Sequence, residues 1–237
     1  MIYSLIQKAK GVALDIFFPP LCIQCGTHLD SKEREILCQT CFNAINTHNT
    51  SFCEVCRARL PDNQRICHFN SPFILAAAGN YSDPVLQNLI HTFKYKGFKN
   101  AGPVLGALTI EYLRRIHINL EGYSAVPIPL HARRERERGF NQAQVLALII
   151  ANEFGLKLTD ALIRTKNNKP QAHIKDTDLR KKNIAGSLEV RGRVDIKDKN
   201  ILLIDDVFTS GATMNEAAMI LKRAGAGTIV ALVAARA

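Results

Sequence analysis

Two adjacent aspartates, Asp205 and Asp206, end an apolar run over residues 201–204. The run is apolar on both faces, which predicts an inner strand of a parallel sheet. Ligands of open α/β sheets bind at the carboxyl ends of such strands, so both carboxylates are expected in a binding crevice. There they could accept hydrogen bonds from sugar hydroxyl groups or from the water shell of a magnesium ion.

The residues after the aspartates are suited to hold a phosphate group. Gly211 lets the backbone approach an anion closely, and the hydroxyl groups of Thr209, Ser210 and Thr213 add donors. The segment leads into a predicted helix over residues 212–224, whose N-terminal N–H groups favour negative charge. A phosphate with a vicinal diol beside it describes a ribose 5-phosphate. The predicted site is the segment Asp205, Asp206, Val207, Phe208, Thr209, Ser210, Gly211, Ala212 and Thr213.

All seven cysteines lie between Cys22 and Cys67. Most of them form Cys-x-x-Cys pairs, and a tight turn of this kind directs two thiolates at one cation. An odd number with paired spacing favours a metal module in a reducing cytoplasm over a disulfide scaffold. Zinc there would be structural, because a segment with little core gains folding free energy from the metal. The candidate ligands are Cys22, Cys25, Cys38, Cys41, Cys53, Cys56 and Cys67.

The first two cysteine pairs predict one zinc site, whereas a second site is short of one ligand. Its third pair and Cys67 supply three sulfurs, and the position that would complete a fourth pair is Asn70. His68 is close in sequence but awkward in geometry as an adjacent ligand. His48 or Asp62 could serve if the chain folds back. An exchange of pairs between the two sites is also compatible with the sequence.

Basic residues recur in the loops that would surround the phosphate segment, which suits an anionic ligand. The alternating charges over residues 133–138 could instead form an exposed, salt-bridged helical turn. Arg138 is the better candidate there, because it precedes a glycine at the start of a helix, where an anion binds well. The candidate anion ligands are Lys94, Lys96, Arg133, Arg138, Arg164 and Lys166.

Strands and helices alternate after the cysteine-rich segment, which indicates a parallel α/β sheet. We therefore predict a zinc-ribbon module over residues 1–70 and an α/β domain over residues 71–237. The predicted strands lie in residues 71–82, 123–130, 157–165, 200–207 and 228–236, and the predicted helices in 83–95, 101–117, 141–154 and 212–224. The remaining long segments are a charged loop over residues 131–140 and a polar hairpin or flap over residues 165–199.

The composition bounds the possible partners. The 31 Lys and Arg residues against 21 Asp and Glu give a formal charge of +10, which favours nucleic acid or phosphorylated metabolites, although a solvated basic surface has the same composition. No apolar stretch is long enough to predict a transmembrane helix. The N-terminus is expected to be an amphipathic helix that ends at Pro19 and Pro20, not a signal peptide.

Several segments carry a family resemblance. The segment ILLIDDVFTSGAT (201–213) resembles the phosphoribosyl-pyrophosphate (PRPP) motif of type I phosphoribosyltransferases. Together with FKYKG, VPIPLHARRERERGFNQAQVLA, RTKNNKPQ and LRKKNIAGS, it occurs here in the order of the ComF family, which also has an N-terminal double zinc ribbon. The chain departs from the family pattern at Asn70, where that pattern has an eighth cysteine.

The resemblance implies a type I phosphoribosyltransferase fold in which Asp205 and Asp206 hold the ribose hydroxyls, residues 209–213 hold the 5'-phosphate, and the basic loops neutralise pyrophosphate. It implies PRPP bound with magnesium, a cytoplasmic location, and a role in natural transformation with single-stranded DNA and the DNA-uptake machinery as partners. Tyr95, Phe98 and Phe140 could stack on bases, although core packing suits Phe140 better. The alternative is an active transferase that passes ribose 5-phosphate from PRPP to a nitrogen acceptor.

Overall fold

The computed structural model of the chain describes residues 19–30, 36–60, 67–68, 70–95, 99–167, 184, 186–192 and 194–237. The predicted N-terminal helix before Pro19, the candidate residues Asp62, Lys96 and Phe98, and most of the predicted flap lie outside these ranges. Among the described residues, no helix has the length and apolar character that are needed to span a membrane.

The elements in the described ranges alternate as the sequence predicts. The helices are α1 (Gln39–Asn43), α2 (Pro84–Tyr95), α3 (Ala101–Arg115), α4 (Ala132–Arg138), α5 (Gln142–Phe154) and α6 (Ala212–Arg223). The strands are β1 (Ser51–Cys53), β2 (Arg59–Leu60), β3 (Ile74–Asn80), β4 (Tyr123–Pro127), β5 (Lys157–Leu158), β6 (Leu162–Arg164), β7 (Leu188–Val190), β8 (Asn200–Phe208) and β9 (Ile229–Arg236).

Seven of these strands form one sheet in the order β2-β1-β3-β9-β8-β4-β5. The strands from β3 to β5 in this order are parallel, and β1 and β2 add to the β3 edge in antiparallel orientation. The mixed α/β class with a mostly parallel sheet is therefore confirmed. β8 is an inner strand, since Leu203 lies opposite Ala231 of β9 and Val126 of β4.

β8 is apolar on both faces because helices cover both. Leu202 and Ile204 pack into a core with α2, α3 and α5. Ile201 and Leu203 point the other way, into a second core that contains α6. This alternation reflects the period of two along a strand, with each face buried under its own layer. The carboxyl end of β8 therefore lies in the middle layer of three, between helices on both faces of the sheet.

Helix caps and close packing hold the helices near that end of the sheet. Asp83 caps α2 as predicted, since its Oδ1 accepts hydrogen bonds from the backbone N–H groups of Val85 and Leu86 at 3.0 and 3.1 Å. The Asn141 side chain caps α5 in the same way, with its Oδ1 accepting from the Ala143 N–H at 3.1 Å. A Cβ added at Gly102 of α3 would lie 2.7 Å from a Val145 methyl of α5, so the glycine permits these helices to touch.

The predicted charged loop over residues 131–140 is wrong, because most of it forms helix α4. The His131 Nδ1 accepts a hydrogen bond from the Arg133 N–H at 3.2 Å and caps the helix. Arginine and glutamate are good helix formers, and Arg133 and Glu137 make an i,i+4 ion pair at 3.0 Å. The helix ends at Gly139, which has a left-handed φ of 81°.

The predicted strand over residues 157–165 is two short strands. β5 extends the main sheet beside β4, whereas β6 pairs with β7 in a separate antiparallel hairpin. β7 lies within the polar segment 165–199 but β6 precedes it, so the hairpin or flap expected within that segment stays a prediction.

The cysteine-rich segment shares the sheet with the α/β domain. Phe52 of β1 lies opposite Leu75 of β3, so the hairpin β1–β2 continues the sheet. At this junction the Tyr112 hydroxyl donates to the Thr50 carbonyl at 2.9 Å and accepts from the Ala77 N–H at 3.1 Å. The domain boundary near residue 70 stays a prediction, while the sheet itself runs across it.

Candidate ligand-binding site and metal centres

A cavity of about 600 Å³ opens at the carboxyl ends of the parallel strands. The residues that follow β3, β4, β8 and β9 all contribute to its lining: Tyr81, Ile128, Pro129, Leu130, Thr209, Ser210 and Ala237. This is the edge at which open α/β sheets bind their ligands. Every residue of the predicted segment 205–213 lines the cavity.

The loop between β8 and α6 is shaped by Gly211. Its φ of 80° is left-handed, and an added Cβ would lie 2.6 Å from Cζ of Phe208. The glycine therefore lets the loop fold tightly over the Phe208 ring. No side chain caps α6 at Gly211, and the Ser210 Oγ accepts weakly from the Ala212 N–H at 3.4 Å. The first N–H groups of α6 are thus placed to bind an anion.

The two aspartates differ in their surroundings. Asp206 forms an ion pair with Lys94 of α2, with Oδ1 and Nζ 2.8 Å apart and side chains that are 9% and 19% exposed. Asp205 Oδ1 accepts a hydrogen bond from the Asp206 N–H at 2.8 Å. One carboxylate is thus neutralised by a cation, and the other is held by the backbone.

Burial and then the neighbouring Asp206 carboxylate raise the pKa of Asp205 to about 7, against the opposing pull of Lys94. Burial alone would lower the pKa of Lys94, but attraction to Asp206 and Asp205 outweighs it, so this pKa lies above its ordinary value. Lys94 is therefore a charged ammonium group that offsets part of the aspartates' repulsion of an anionic ligand.

Among the residues that the structure describes, five cationic side chains line the cavity: Arg57, Lys94, Arg134, Arg138 and Arg164. Arg138 donates through Nη1 to Gln142 Oε1 at 3.1 Å, and its guanidinium lies 5.6 Å from the centre of the Tyr95 ring. Arg164 is buried, and its Nε has no hydrogen-bond partner in the described part of the chain. Burial lowers the pKa of Arg164, while Asp205 opposes that shift.

The structure brings together Lys94, Arg138 and Arg164 of the six predicted anion ligands. Arg133 does not line the cavity and lies exposed in its pair with Glu137, which is the competing interpretation given above. Lys166 is exposed and is not among the lining residues, and Lys96 lies outside the described ranges.

Arg57 is a lining residue that sequence reasoning missed. Its only local signal is its position directly after the third cysteine pair, where the first pair has Gly26. Its guanidinium reaches the loop after β8, which is distant in sequence. Nη2 donates to the Thr209 carbonyl at 3.3 Å.

The first cysteine cluster consists of Cys22, Cys25, Cys38 and Cys41, whose sulfur atoms all lie within 4.8 Å of one another. Cys25 and Cys38 have Sγ atoms 3.7 Å apart. The Thr27 hydroxyl is the largest influence that lowers the pKa of Cys25, to about 6. Four sulfurs in this arrangement fit a structural zinc ion.

The second cluster gains its fourth ligand from His68, contrary to the expectation that an adjacent ligand is awkward. His68 Nδ1 lies 3.1 Å from Cys67 Sγ and 3.3 Å from Cys53 Sγ. Nδ1 is the ring nitrogen nearer to the backbone, and these distances show that it and the adjacent Cys67 sulfur can reach one point. The cluster Cys53, Cys56, Cys67 and His68 has its ligand atoms within 4.8 Å of one another.

Two other arrangements considered for the second cluster, His48 as a ligand and an exchange of pairs, do not occur among the described residues, and Asp62 lies outside those residues. His48 is buried instead against Phe52, with ring centroids 4.8 Å apart. Each cluster is built from cysteines in chain order, without an exchange of pairs. The donor set of three thiolates and one imidazole fits zinc.

Each of the two parts of the chain matches a known domain family. A phosphoribosyl transferase domain matches residues 141–237, and a double zinc ribbon domain matches residues 13–69. The DNA utilization protein YhgH of Escherichia coli strain K12 is 27% identical over 205 residues, which cover 84% of this chain and 83% of that protein.

Two similar proteins are named for competence. Competence protein ComFC of Bacillus subtilis strain 168 is 28% identical over 209 residues, or 86% of this chain and 79% of that protein. Competence protein F of Haemophilus influenzae is 26% identical over 219 residues, or 88% of this chain and 93% of that protein. The chain therefore combines a double zinc ribbon domain with a phosphoribosyl transferase domain, and over most of its length it is similar to proteins named as competence and DNA utilization proteins.

Proposed function

We propose that the cavity binds PRPP together with magnesium. The observation that carries this proposal is the meeting of three features at one sheet edge: the carboxylates of Asp205 and Asp206, the uncapped N-terminus of α6, and the cationic lining. Each suits one part of a ligand that has a phosphate, a sugar diol and a pyrophosphate group. The match to the phosphoribosyl transferase domain supports the same ligand class.

In this proposal the loop 209–213 holds the 5'-phosphate, and the two aspartates accept hydrogen bonds from the ribose hydroxyls. Lys94, Arg138 and Arg164 neutralise pyrophosphate, which carries the highest charge of the ligand. Asp205 would hold magnesium through the water shell of the ion, because Asp206 already has Lys94 as its partner. Magnesium supplies charge neutralisation when bound.

We further propose that the same protein handles single-stranded DNA in natural transformation, in the cytoplasm and in contact with DNA-uptake proteins. Tyr95 supports this second role, because it lines the cavity and the residue is 59% exposed. A stacking ring beside a cationic wall is the usual design of single-strand grooves. The homologues are named competence and DNA utilization proteins, which supports the same role. Phe140 is buried against Phe93 and serves the core instead.

The experiment is to measure binding of PRPP and of a fluorescent single-stranded oligonucleotide to one preparation, with and without magnesium. We expect magnesium-dependent PRPP binding and DNA binding that weakens steeply with salt. Competition between the two would place both on this cavity. Failure to bind PRPP at any magnesium concentration would refute the first proposal, and salt-insensitive or absent DNA binding would refute the second.

The active transferase is tested in the same preparation by pyrophosphate release across a panel of nitrogen acceptors. Release that needs both magnesium and an acceptor would establish the transferase. PRPP binding without release above background would favour a binding role alone.

A further inference from the structure

The first and third cysteine pairs form turns of the same shape, but the residue after the second cysteine is glycine in the first turn and arginine in the third. In each turn the residue after the second cysteine donates its N–H to the carbonyl of the first, from Gly26 to Cys22 and from Arg57 to Cys53, both at 3.0 Å. Both residues have a left-handed backbone, with φ of 72° at Gly26 and 63° at Arg57. Glycine adopts this conformation freely, whereas another residue loses about 1 kcal/mol. Arginine at this place is therefore retained at a cost in backbone strain.

The Arg57 side chain extends from the second cluster into the cavity. Its guanidinium lies 4.4 Å from the centre of the Phe208 ring, the ring over which Gly211 folds. Its Nη2 donates to the Thr209 carbonyl, the first residue of the proposed phosphate loop. The turn of the second cluster thus contacts the phosphate loop directly.

The other end of the guanidinium is attracted electrostatically by Glu54 but makes no hydrogen bond within the described ranges. Arg57 Nη1 is buried and has no hydrogen-bond partner within the described ranges. Glu54, the acid of the same turn, accepts a hydrogen bond from Asn215 Nδ2 at 3.2 Å. Arg236 adds a second guanidinium nearby, and its Nη1 donates to the Arg57 carbonyl at 3.4 Å. A buried cationic donor without a hydrogen-bond partner is unfavourable, so an anion bound at the adjacent phosphate loop would stabilise it.

We infer that Arg57 is a ligand of the 5'-phosphate, held in the cavity by the second cysteine cluster, so that metal binding at that cluster sets the affinity for the phosphate end of the ligand. The inference rests on the proposed ribose-phosphate function of the cavity. It assigns the second zinc a role in ligand binding besides its role in folding. The first cluster, which has glycine at the corresponding place, has no such role.

The first test replaces Arg57 by the residue of the first turn. Arg57→Gly should lower the affinity for ribose 5-phosphate about ten- to hundredfold, the effect of losing one charge-assisted hydrogen bond. The same variant should be close to the wild type in stability, because relief of the left-handed backbone offsets the loss of the Arg57 contacts with Thr209 and Phe208. This combination separates ligand binding from a structural role, which would lower stability.

Arg59→Ala is the matched control, because it removes the same charge from the exposed neighbouring strand β2 and does not line the cavity. It should change the affinity by less than about threefold, the size of a weak, screened interaction. Equal ribose 5-phosphate affinities for Arg57→Gly and Arg59→Ala would overturn the inference.

The second test removes the metal from one cluster at a time, with zinc content measured for each variant. Cys67→Ser should lower the affinity for ribose 5-phosphate as much as Arg57→Gly does. The double variant Arg57→Gly/Cys67→Ser should bind ribose 5-phosphate no more weakly than either single variant. Cys25→Ser, in the first cluster, should keep wild-type affinity. Equal losses from Cys25→Ser and Cys67→Ser would contradict coupling through the second cluster.

The outcomes distinguish this inference from the proposed function. If the wild-type protein binds neither ribose 5-phosphate nor PRPP, the function of the cavity is refuted and the inference falls with it. If the wild-type protein binds both ligands and Arg57→Gly binds them equally well, only the inference is refuted.

Discussion

The ion pair between Lys94 and Asp206 gives the sharpest prediction, because it is the buried link between α2 and β8. At 2.8 Å and an effective dielectric constant of about 20, Coulomb's law gives about 6 kcal/mol of attraction. Partial solvation of the Lys94 ammonium offsets some of this. Lys94→Met keeps the aliphatic length and leaves a buried carboxylate unpaired, so we expect it to lower the free energy of unfolding by about 3–5 kcal/mol.

The assay is urea unfolding at pH 8 in the presence of zinc, followed by circular dichroism. The control is Arg191→Met, which breaks the exposed pair of Arg191 with Asp160, where the side chains are 51% and 59% exposed. We expect that control to lose less than about 1 kcal/mol. The double variant Lys94→Met/Asp206→Asn should recover more than half of the loss, because no charge is then left unpaired.

Two results would refute this reasoning. The first is a loss for Lys94→Met that is no larger than that for Arg191→Met. The second is a double variant that is no more stable than Lys94→Met alone, because the cost would then come from packing and not from the unpaired carboxylate.

Three further predictions follow. Gly211→Ala places a Cβ 2.6 Å from the Phe208 ring and should weaken PRPP binding at least about tenfold. The control Gly155→Ala, at a residue with φ of 64° and no atom within 4 Å of the added Cβ, should leave PRPP binding unchanged. Equal affinities of the two variants for PRPP would contradict the shape assigned to the loop. Because the pKa of Asp205 is raised from 3.8 to about 7, its contribution to stability is lost as pH rises through that window. Asp205→Asn should flatten this part of the stability profile measured by urea unfolding, and an unchanged slope would count against the shift. His68→Ala should lower the zinc content measured by atomic absorption from two ions to one per chain, and retention of both would exclude His68 as a ligand.

The site around β8 could be predicted because its signals are local. The apolar run 201–204, the two aspartates and the loop through Gly211 are consecutive, so their relative positions follow from a strand, a turn and a helix N-terminus. Burial on both faces of β8 likewise follows from its composition.

Other features depend on contacts between distant segments. The sequence shows that Lys94 is basic, but only the packing of α2 against β8 pairs it with Asp206. Arg57 meets Thr209 because β1 adds to the edge of the parallel sheet. The choice of His68 over His48 rests on the direction of one ring, which spacing does not determine.

Helix α4 shows a different reason for error. Its run of arginines and glutamates has no apolar face, so the hydrophobic pattern does not predict a helix there. Helix propensity, a His131 cap and the pair of Arg133 with Glu137 are enough to form it. Charged segments of this kind are better judged by propensity and capping than by hydrophobic pattern.

The most direct test of the proposed function is calorimetric titration of PRPP with magnesium into the wild-type protein and into Asp205→Asn/Asp206→Asn. We expect one PRPP to bind per wild-type chain. The affinity of the variant for PRPP should be lower by about a hundredfold or more, because two carboxylates that accept hydrogen bonds from the ribose hydroxyls are removed. Circular dichroism would verify that the variant is folded. Equal affinities for the two proteins, or no binding to the wild type, would contradict the account.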